Sequence, residues 1–499
     1  MTSASCPAYR ELTARWSRMH RLGHLQAIAS WDQAAMMPPK GNEARAEALA
    51  EIGNVLHATR TDAALVDLLA HADAEALDDV ARANLVEMRR DWRASNALPA
   101  ELVEAQSLAA SRCEHAWRAQ RPANDWAGFL ENFGPVVRLS REQSLRLSDA
   151  KGLAPYDALM DEFEPGMTSA ELDRVFGDLL QWLPDLVRRV RARQAGDRVV
   201  APTGPYPIAA QRAISLGVMK LLGFDFEAGR LDESAHPFSG GVPEDVRLTT
   251  RYRDDDFEQS LMGTIHETGH ARYEQNLPRE LLGQPIARAR SSGIHESQSL
   301  AFEMQLGRSA AFIGLLAPAL VQQFGNQPAF EPANLQKMLT RVAPGLIRVE
   351  ADEVTYPLHV ILRYRIERAL IEGSIEAEDI PALWDEAMTG LLGLDTRGNH
   401  RDGCLQDIHW SGGAFGYFPS YTLGAMYAAQ WFAAIRRATP DLDARIARAD
   451  LAPIWTWLRE HVWLQGSRWN TAELVRRATG EALNPAHFRR HLESRYLAA

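Results

Sequence analysis

The stretch Thr264-Ile265-His266-Glu267-Thr268-Gly269-His270 constrains this chain more than any other. Its pattern is H-E-x-x-H. Residues four apart share a face on an α-helix, so His266 and His270 can grip one metal ion from the same side. Glu267 sits one position on, beside the same cleft, where a carboxylate can take a proton from water activated by the metal. The surrounding chain has to bury such a helix and supply what two histidines lack.

Composition agrees with a large folded body. The chain has 499 residues, 46% hydrophobic and 24% charged, the balance of a soluble globular protein with a sizeable core. Length allows about two to four domains, or one large helical body. A net charge of −11, with no lysine- or arginine-rich block, argues against nucleic acid as a partner. Cys6, Cys113 and Cys404 are far apart and form no C-x-x-C pattern, so neither a disulfide framework nor a thiolate zinc site is expected, and a reducing cytoplasm fits. The first residues lead into Arg10, Glu11, Arg15 and Arg18 without an apolar stretch, and no signal peptide is expected. The longest apolar run, Ala310 to Val321, is 12 residues and contains Pro318, too short to span a bilayer, so no membrane partner is expected.

Helical periodicity dominates. Leu12, Trp16, Met19 and Leu22 predict a helix over residues 1–30, broken at 31–41. Helical pattern returns from Glu43 to about Asn96, again after Pro99 as far as Trp117, and around 124–150. Thr168-Ser169-Ala170-Glu171 reads as a capping box. It opens a helix through Leu172, Val175, Leu179, Leu183 and Leu186, with a kink expected at Pro184. A further helix over 208–222 ends at Gly223. The texture changes at 224–252: glycines and prolines cluster, and Val246 to Tyr252 alternate as β-formers, predicting the one small sheet of the chain. Asp254-Asp255-Asp256 then supplies an N-cap for the motif helix. A second helix begins near Ile294, and helices run to the C-terminus, where Trp455, Trp457 and Trp463 are expected in a core.

A catalytic zinc usually has three protein ligands and one open position. After an H-E-x-x-H helix, a carboxylate on a following helix often supplies the third. Glu296 and Glu303 are both in range. Glu296 is favoured because polar residues cluster around it, in His295-Glu296-Ser297-Gln298, and Glu303 is left to orient a ligand from behind. Other polar clusters stand at His236-Pro237-Phe238, at Asp245 to Thr249, at Ile347 to Asp352, and at Gly403 to Trp410.

Taken together, these segments resemble the signatures of the thermostable carboxypeptidase 1 family, the Taq-type zinc metallocarboxypeptidases. H-P-F, D-x-R-x-T, H-E-x-x-H, H-E-S-Q, I-R-x-x-A-D and G-x-x-Q-D-x-H-W all occur in family order between His236 and Trp410, and the resemblance extends over the whole chain. It implies a mostly α fold similar to neurolysin-type oligopeptidases. That fold is one large helical body (residues 1–499) with a deep central cleft and one small β-sheet beside the metal site. Residues 1–100 would form lid-like helices and 224–430 the active-site region. It implies zinc, with cobalt as the alternative metal, on His266, His270 and Glu296, with Glu267 as the catalytic glutamate. It further implies a cytoplasmic homodimer that removes C-terminal amino acids from peptides with broad specificity and reluctance at C-terminal proline.

A carboxypeptidase must anchor a free carboxylate, and a planar guanidinium suits that task. Arg348 is the first choice, in line with the family's I-R-x-x-A-D arginine. Arg247 is second, with an ion pair to Asp245 as its other role. His236, Gln406 and Asp407 complete the substrate-binding candidates. The oxyanion formed on the scissile carbonyl needs donors besides the metal, and His409 and Tyr421 are the candidates, with Tyr427 a weaker one. Two other readings share the motif: an endo-acting oligopeptidase on the same scaffold, and a metal-binding protein without turnover.

Overall fold

The structure is a computed structural model that describes residues 6–234 and 237–497. Helices make up most of it, with one three-stranded sheet. The first helix, Pro7–Ala35, runs past the expected break. The reason is Trp31: it is 3% exposed, and the Arg247 guanidinium lies 4.9 Å from its ring centroid. Packing against a partner far along the chain thus prolongs the helix to Ala35, short of Pro38 and Pro39.

Residues 43–96 form three helices, Asn42–Arg60, Ala64–Asp73 and Asp79–Ala97, where one pattern was expected. No glycine or proline marks the two breaks. Instead Asp62 and Asp78 turn their carboxylates back on the chain, accepting from the backbone N–H of Ala64 and Ala81, each at 2.9 Å. With the first helix, these three close on a core of their own that includes Leu12, Trp16, Met19, Leu56, Leu65, Leu69, Leu85 and Met88. Polar bonds tie this layer to the rest of the chain. Arg290 reaches Glu87 and Arg288 reaches Asp91, each at 2.8 Å, and Asn84 donates to Gln284 at 3.1 Å.

A second, much larger core runs from Cys113 to Tyr496. Leu172, Val175, Leu179, Leu183 and Leu186 enter it from the helix Ser169–Gln194, which continues through Pro184. Half of the expected capping box forms there. Thr168 Oγ1 accepts from the Glu171 amide at 3.3 Å, but the Glu171 carboxylate pairs with Arg174 at 2.6 Å. The tryptophans near the C-terminus pack as expected: Trp457 and Trp463 are buried and Trp455 packs against the same core. Among the described residues Cys6, Cys113 and Cys404 form no disulfide. Among the described residues no single helix is long and apolar enough to cross a membrane.

The sheet consists of β1 (Gly229–Glu233), β2 (Phe238–Val242) and β3 (Asp245–Thr250), with β3 in the middle, parallel to β1 and antiparallel to β2. Leu231, Val246 and Leu248 pack with Met219, Phe224 and Ala271. Because Ala271 belongs to the motif helix, Glu258–Gln275, this cluster seats the sheet against that helix. Asp256 caps the helix as expected, accepting from the amides of Glu258 and Gln259 at 2.9 and 3.2 Å.

Candidate active site

The motif helix and the helix Ser292–Leu300 lie in close contact because position 269 is glycine. A Cβ there would stand 2.6 Å from the Ser299 Cα and 2.5 Å from the Gln298 carbonyl oxygen. Ser291 starts the second helix, accepting from the Ile294 amide at 3.1 Å. Trp431 and Trp463 hold its far side, donating to Ser297 Oγ at 3.0 Å and Gln298 Oε1 at 2.8 Å.

This packing delivers Glu296 to the two histidines. Glu296 Oε2 lies 3.9 Å from His266 Nε2 and 3.4 Å from His270 Nε2. One donor atom from each of the three residues falls within 4.8 Å of the others, a set that can hold a metal ion. Two imidazole nitrogens and one carboxylate oxygen are the donor chemistry of a catalytic zinc site that leaves a fourth position open. The second helix does not stay α-helical. At Ala301–Gly307 it widens into π-helical turns, and Glu303 comes to the opposite side of the His266 ring, with Oε2 3.0 Å from Nδ1. An ionised Glu303 requires a proton on His266 Nδ1, which leaves Nε2 bare and aimed at the metal position. Arg308 steadies Glu303 at 3.0 Å. The other histidine has a different neighbour. His270 Nδ1 is 2.6 Å from His295 Nδ1, and His295 Nε2 is 2.8 Å from Glu274 Oε1.

Charge in this cluster is strongly coupled. Burial disfavours a charged His266, yet Glu296 and Glu303 overcome it and pull the imidazole up to about 10. Burial also opposes an ionised Glu296, but His266 and His270 bring it down to about 2. His270, with burial dominant, is lowered to about 4. The two carboxylates thus favour positive charge between them, which makes this a place where a cation is stabilised. Glu267 is 8% exposed, and burial pushes its carboxyl up to about 7. Ser239 on β2 donates to its backbone carbonyl at 3.3 Å, so the sheet braces the motif helix at this residue.

The facing wall is built around Arg348, in a short turn at Arg348–Glu350. Its side chain is 4% exposed. Nε and Nη2 donate to Asp407 Oδ1 at 3.0 and 2.7 Å, and Nη1 donates to the Tyr356 hydroxyl at 2.5 Å. The guanidinium also lies over the Tyr421 ring, 4.8 Å from its centroid. Tyr421 Oη is 3.1 Å from His409 Nε2. Burial and the Arg348 charge lower the His409 imidazole to about 4, so it is neutral at pH 7. Tyr417 packs edge-on to Tyr421 at 5.3 Å, and burial, with a smaller push from the Glu296 charge, raises the hydroxyls of Tyr356, Tyr417 and Tyr421. The metal cluster and the Arg348 cluster are thus neighbours. A cavity of about 350 Å³ opens beside them, lined by His270, His295, Glu296, Tyr417, Arg290 and Arg90 among others. A larger one of about 650 Å³ lies behind Glu303, where Arg308, Arg436 and Arg495 are paired with Glu303, Asp443 and Glu353.

Several candidate binding residues are differently occupied. Gln406 is a loop clamp: Oε1 accepts from the Arg348 amide at 2.7 Å, and Nε2 donates to the carbonyls of Leu346, Asp402 and Gly403. Asp407 has no oxygen to spare for substrate, since Oδ1 takes Arg348 and Oδ2 takes Arg363 at 2.6 Å. Arg247 pairs with Asp245 through two bonds, at 2.9 and 2.6 Å, and stacks on Trp31. Tyr427 is core, stacked on Trp431. His236 lies outside the described residues. Tyr356, Tyr417 and Arg363 are absent from the sequence-based candidates. Tyr417 carried a signal, four residues before Tyr421 and next to the glycines Gly412, Gly413 and Gly416; Arg363 and Tyr356 carried none.

A family model described as carboxypeptidase Taq (M32) metallopeptidase matches residues 11–496. The chain is 39% identical over 504 residues to thermostable carboxypeptidase 1 of Thermus thermophilus, covering 98% of each chain. It is 35% identical over 491 residues to carboxypeptidase 1 of Bacillus subtilis, covering 96% of each. Among solved structures, that of Trypanosoma cruzi metallocarboxypeptidase 1 is similar with a TM-score of 0.97 and 48% identity, over 99% of this chain and 100% of that one. The M32 carboxypeptidase of Deinococcus radiodurans R1 gives 0.92 and 33%, over 98% and 99%.

Proposed function

The chain belongs to the carboxypeptidase Taq (M32) metallopeptidase family and is a metallocarboxypeptidase, and from that premise we propose that it is a zinc enzyme that releases amino acids one at a time from the free C-termini of peptides. The observation that carries the reading is the convergence of His266, His270 and Glu296 with the buried Glu267 beside them. Zinc, with cobalt as the alternative, would be held by His266 Nε2, His270 Nε2 and Glu296, and when bound would polarise the scissile carbonyl and acidify water.

The rest is done by side chains. Glu267 takes a proton from the attacking water on its carboxylate and later gives it to the leaving amine. A carboxyl that burial pushes up to about 7 is suited to both halves of that transfer. His409 and Tyr421 share one hydrogen bond, so they cannot both turn a proton outward through it. With neutral His409 donating from Nε2, the Tyr421 hydroxyl is free to donate to the oxyanion. Arg348 receives the substrate carboxylate. Of its five N–H donors, Asp407 takes two and Tyr356 takes one, which leaves two. Glu303 orients His266 and keeps its Nε2 bare.

Broad side-chain preference with poor release of C-terminal proline, a cytoplasmic setting and a homodimer complete the reading. The N-terminal helices, with their separate core and polar seam, suit a lid. One experiment tests the reading: timed mass spectrometry of one peptide, with free and amidated C-terminus, with and without chelator. Stepwise shortening of the free peptide only, stopped by chelator and restored by zinc, is expected. Internal cleavage of both forms would replace it with an endopeptidase.

A further inference from the structure

The pair His295 and Glu274 has no part in the chemistry above. Glu274 is one turn beyond His270 on the motif helix, and His295 comes from the second helix. With Glu274 as a carboxylate and one proton on each ring, their hydrogen bonds allow one arrangement. The two Nδ1 atoms, 2.6 Å apart, share a single proton, because two N–H groups would collide and two lone pairs would repel. Glu274 accepts, so the ring proton of His295 sits on Nε2, 2.8 Å away. His295 Nδ1 is then bare and must accept. The shared proton therefore belongs to His270 Nδ1, and His270 Nε2 is left bare where it faces Glu296 at 3.4 Å. The opposite tautomer of His270 would point a proton at the metal position.

We propose that Glu274 and His295 form a positioning relay that fixes His270 as an Nε2 ligand and thereby sets the affinity of the site for zinc. This rests on the reading of His266, His270 and Glu296 as the metal site. The two histidines are then set by different devices: His266 by one carboxylate, Glu303, and His270 by a carboxylate acting through a second imidazole. The longer route also ties the motif helix to the second helix, beside the third ligand.

The test is zinc affinity of the full-length, chelator-stripped protein, measured by competition with a chromophoric chelator, with circular dichroism as the check on folding. In His295→Leu the acceptor is gone, and zinc binding is expected to weaken about 10- to 100-fold. Asparagine places Oδ1 close to where the imidazole Nδ1 stood and still accepts, so His295→Asn should lose less than about tenfold. Glu274→Gln should fall between the two. Equal affinity for wild type and His295→Leu overturns the relay, as does His295→Asn binding as weakly as His295→Leu. If His295→Leu does not fold, unchanged affinity in Glu274→Gln overturns it. His270→Ala and Glu296→Gln separate this from failure of the metal-site reading: if those two bind zinc like wild type, the metal lies elsewhere.

Discussion

Arg348 donates from both Nε and Nη2 to the same oxygen of Asp407, at 3.0 and 2.7 Å, while the second oxygen of Asp407 is held by Arg363. The guanidinium proposed to bind the substrate carboxylate is thereby fixed in one orientation, and Asp407 keeps a partner when Arg348 is lost. Arg348→Ala is expected to cost about 2–4 kcal/mol of transition-state stabilisation on peptides with a free C-terminus. Steady-state kcat/KM on free and amidated versions of one peptide checks this. An equal loss on both would remove Arg348 from carboxylate recognition.

Glu267→Gln keeps the size of the side chain and removes the base. The variant should bind zinc and fold like wild type, with kcat lower by about 10²–10⁴-fold. Zinc content and turnover are measured on the same sample; near-normal turnover would move the base elsewhere.

Glu303→Gln tests the hold on His266. A neutral amide no longer demands a proton on Nδ1, and zinc affinity should drop about 10–100-fold. Zinc retained after dialysis against a weak chelator reports it, and full retention would count against an orienting role.

Gly269→Ala puts a methyl group against the Gln298 carbonyl and the Ser299 Cα. The two helices must part, at about 1–3 kcal/mol by the usual cost of overpacking. Because Glu296 rides on the second helix, thermal stability and zinc affinity should fall together. Loss of stability with unchanged affinity would show that the helices move without disturbing the ligands.

Glu353 supplies a pH dependence remote from the site. Burial opposes its ionisation, but His491, Arg495 and Tyr496 bring it from 4.5 down to about 2. A carboxylate lowered on folding adds stability that is fully present above 4.5 and is lost as pH falls toward about 2. That contribution is about 3 kcal/mol. Glu353→Gln should therefore be less stable than wild type at pH 7, with the gap closing between pH 4.5 and 2 in denaturant titrations. A gap that persists to the acid limit would mean packing rather than charge.

Many local patterns were legible where the partner of a residue lies nearby in the chain. The helix carrying His266 and His270, its cap at Asp256, the strand around Val246 to Thr250 and the second helix with Glu296 follow from spacing alone. Expectation failed where the partner is distant and where two nearby partners compete for one group. The first helix continues to Ala35 because Trp31 meets Arg247. Residues 43–96 divide at Asp62 and Asp78, whose carboxylates do what glycine or proline was expected to do. Glu171 left its capping box for Arg174.

The same division runs through the site. Which residue types can bind a metal and move a proton is written in H-E-x-x-H and the glutamate that follows, because four-residue spacing on a helix is a local property. How each is used is set by the other side of a contact. Gln406 and Asp407 look like substrate ligands in sequence, yet they are consumed by Arg348, Arg363 and loop carbonyls. Glu303 reaches His266 through a turn of π-helix, a geometry that spacing does not announce. The sequence by itself determined which residues are proposed as the ligand set and the base. Tertiary packing alone decided which nitrogen of each histidine faces Glu296 and which polar groups are already paired, because a hydrogen-bonding group serves the partner that reaches it, and those partners come from distant parts of the chain.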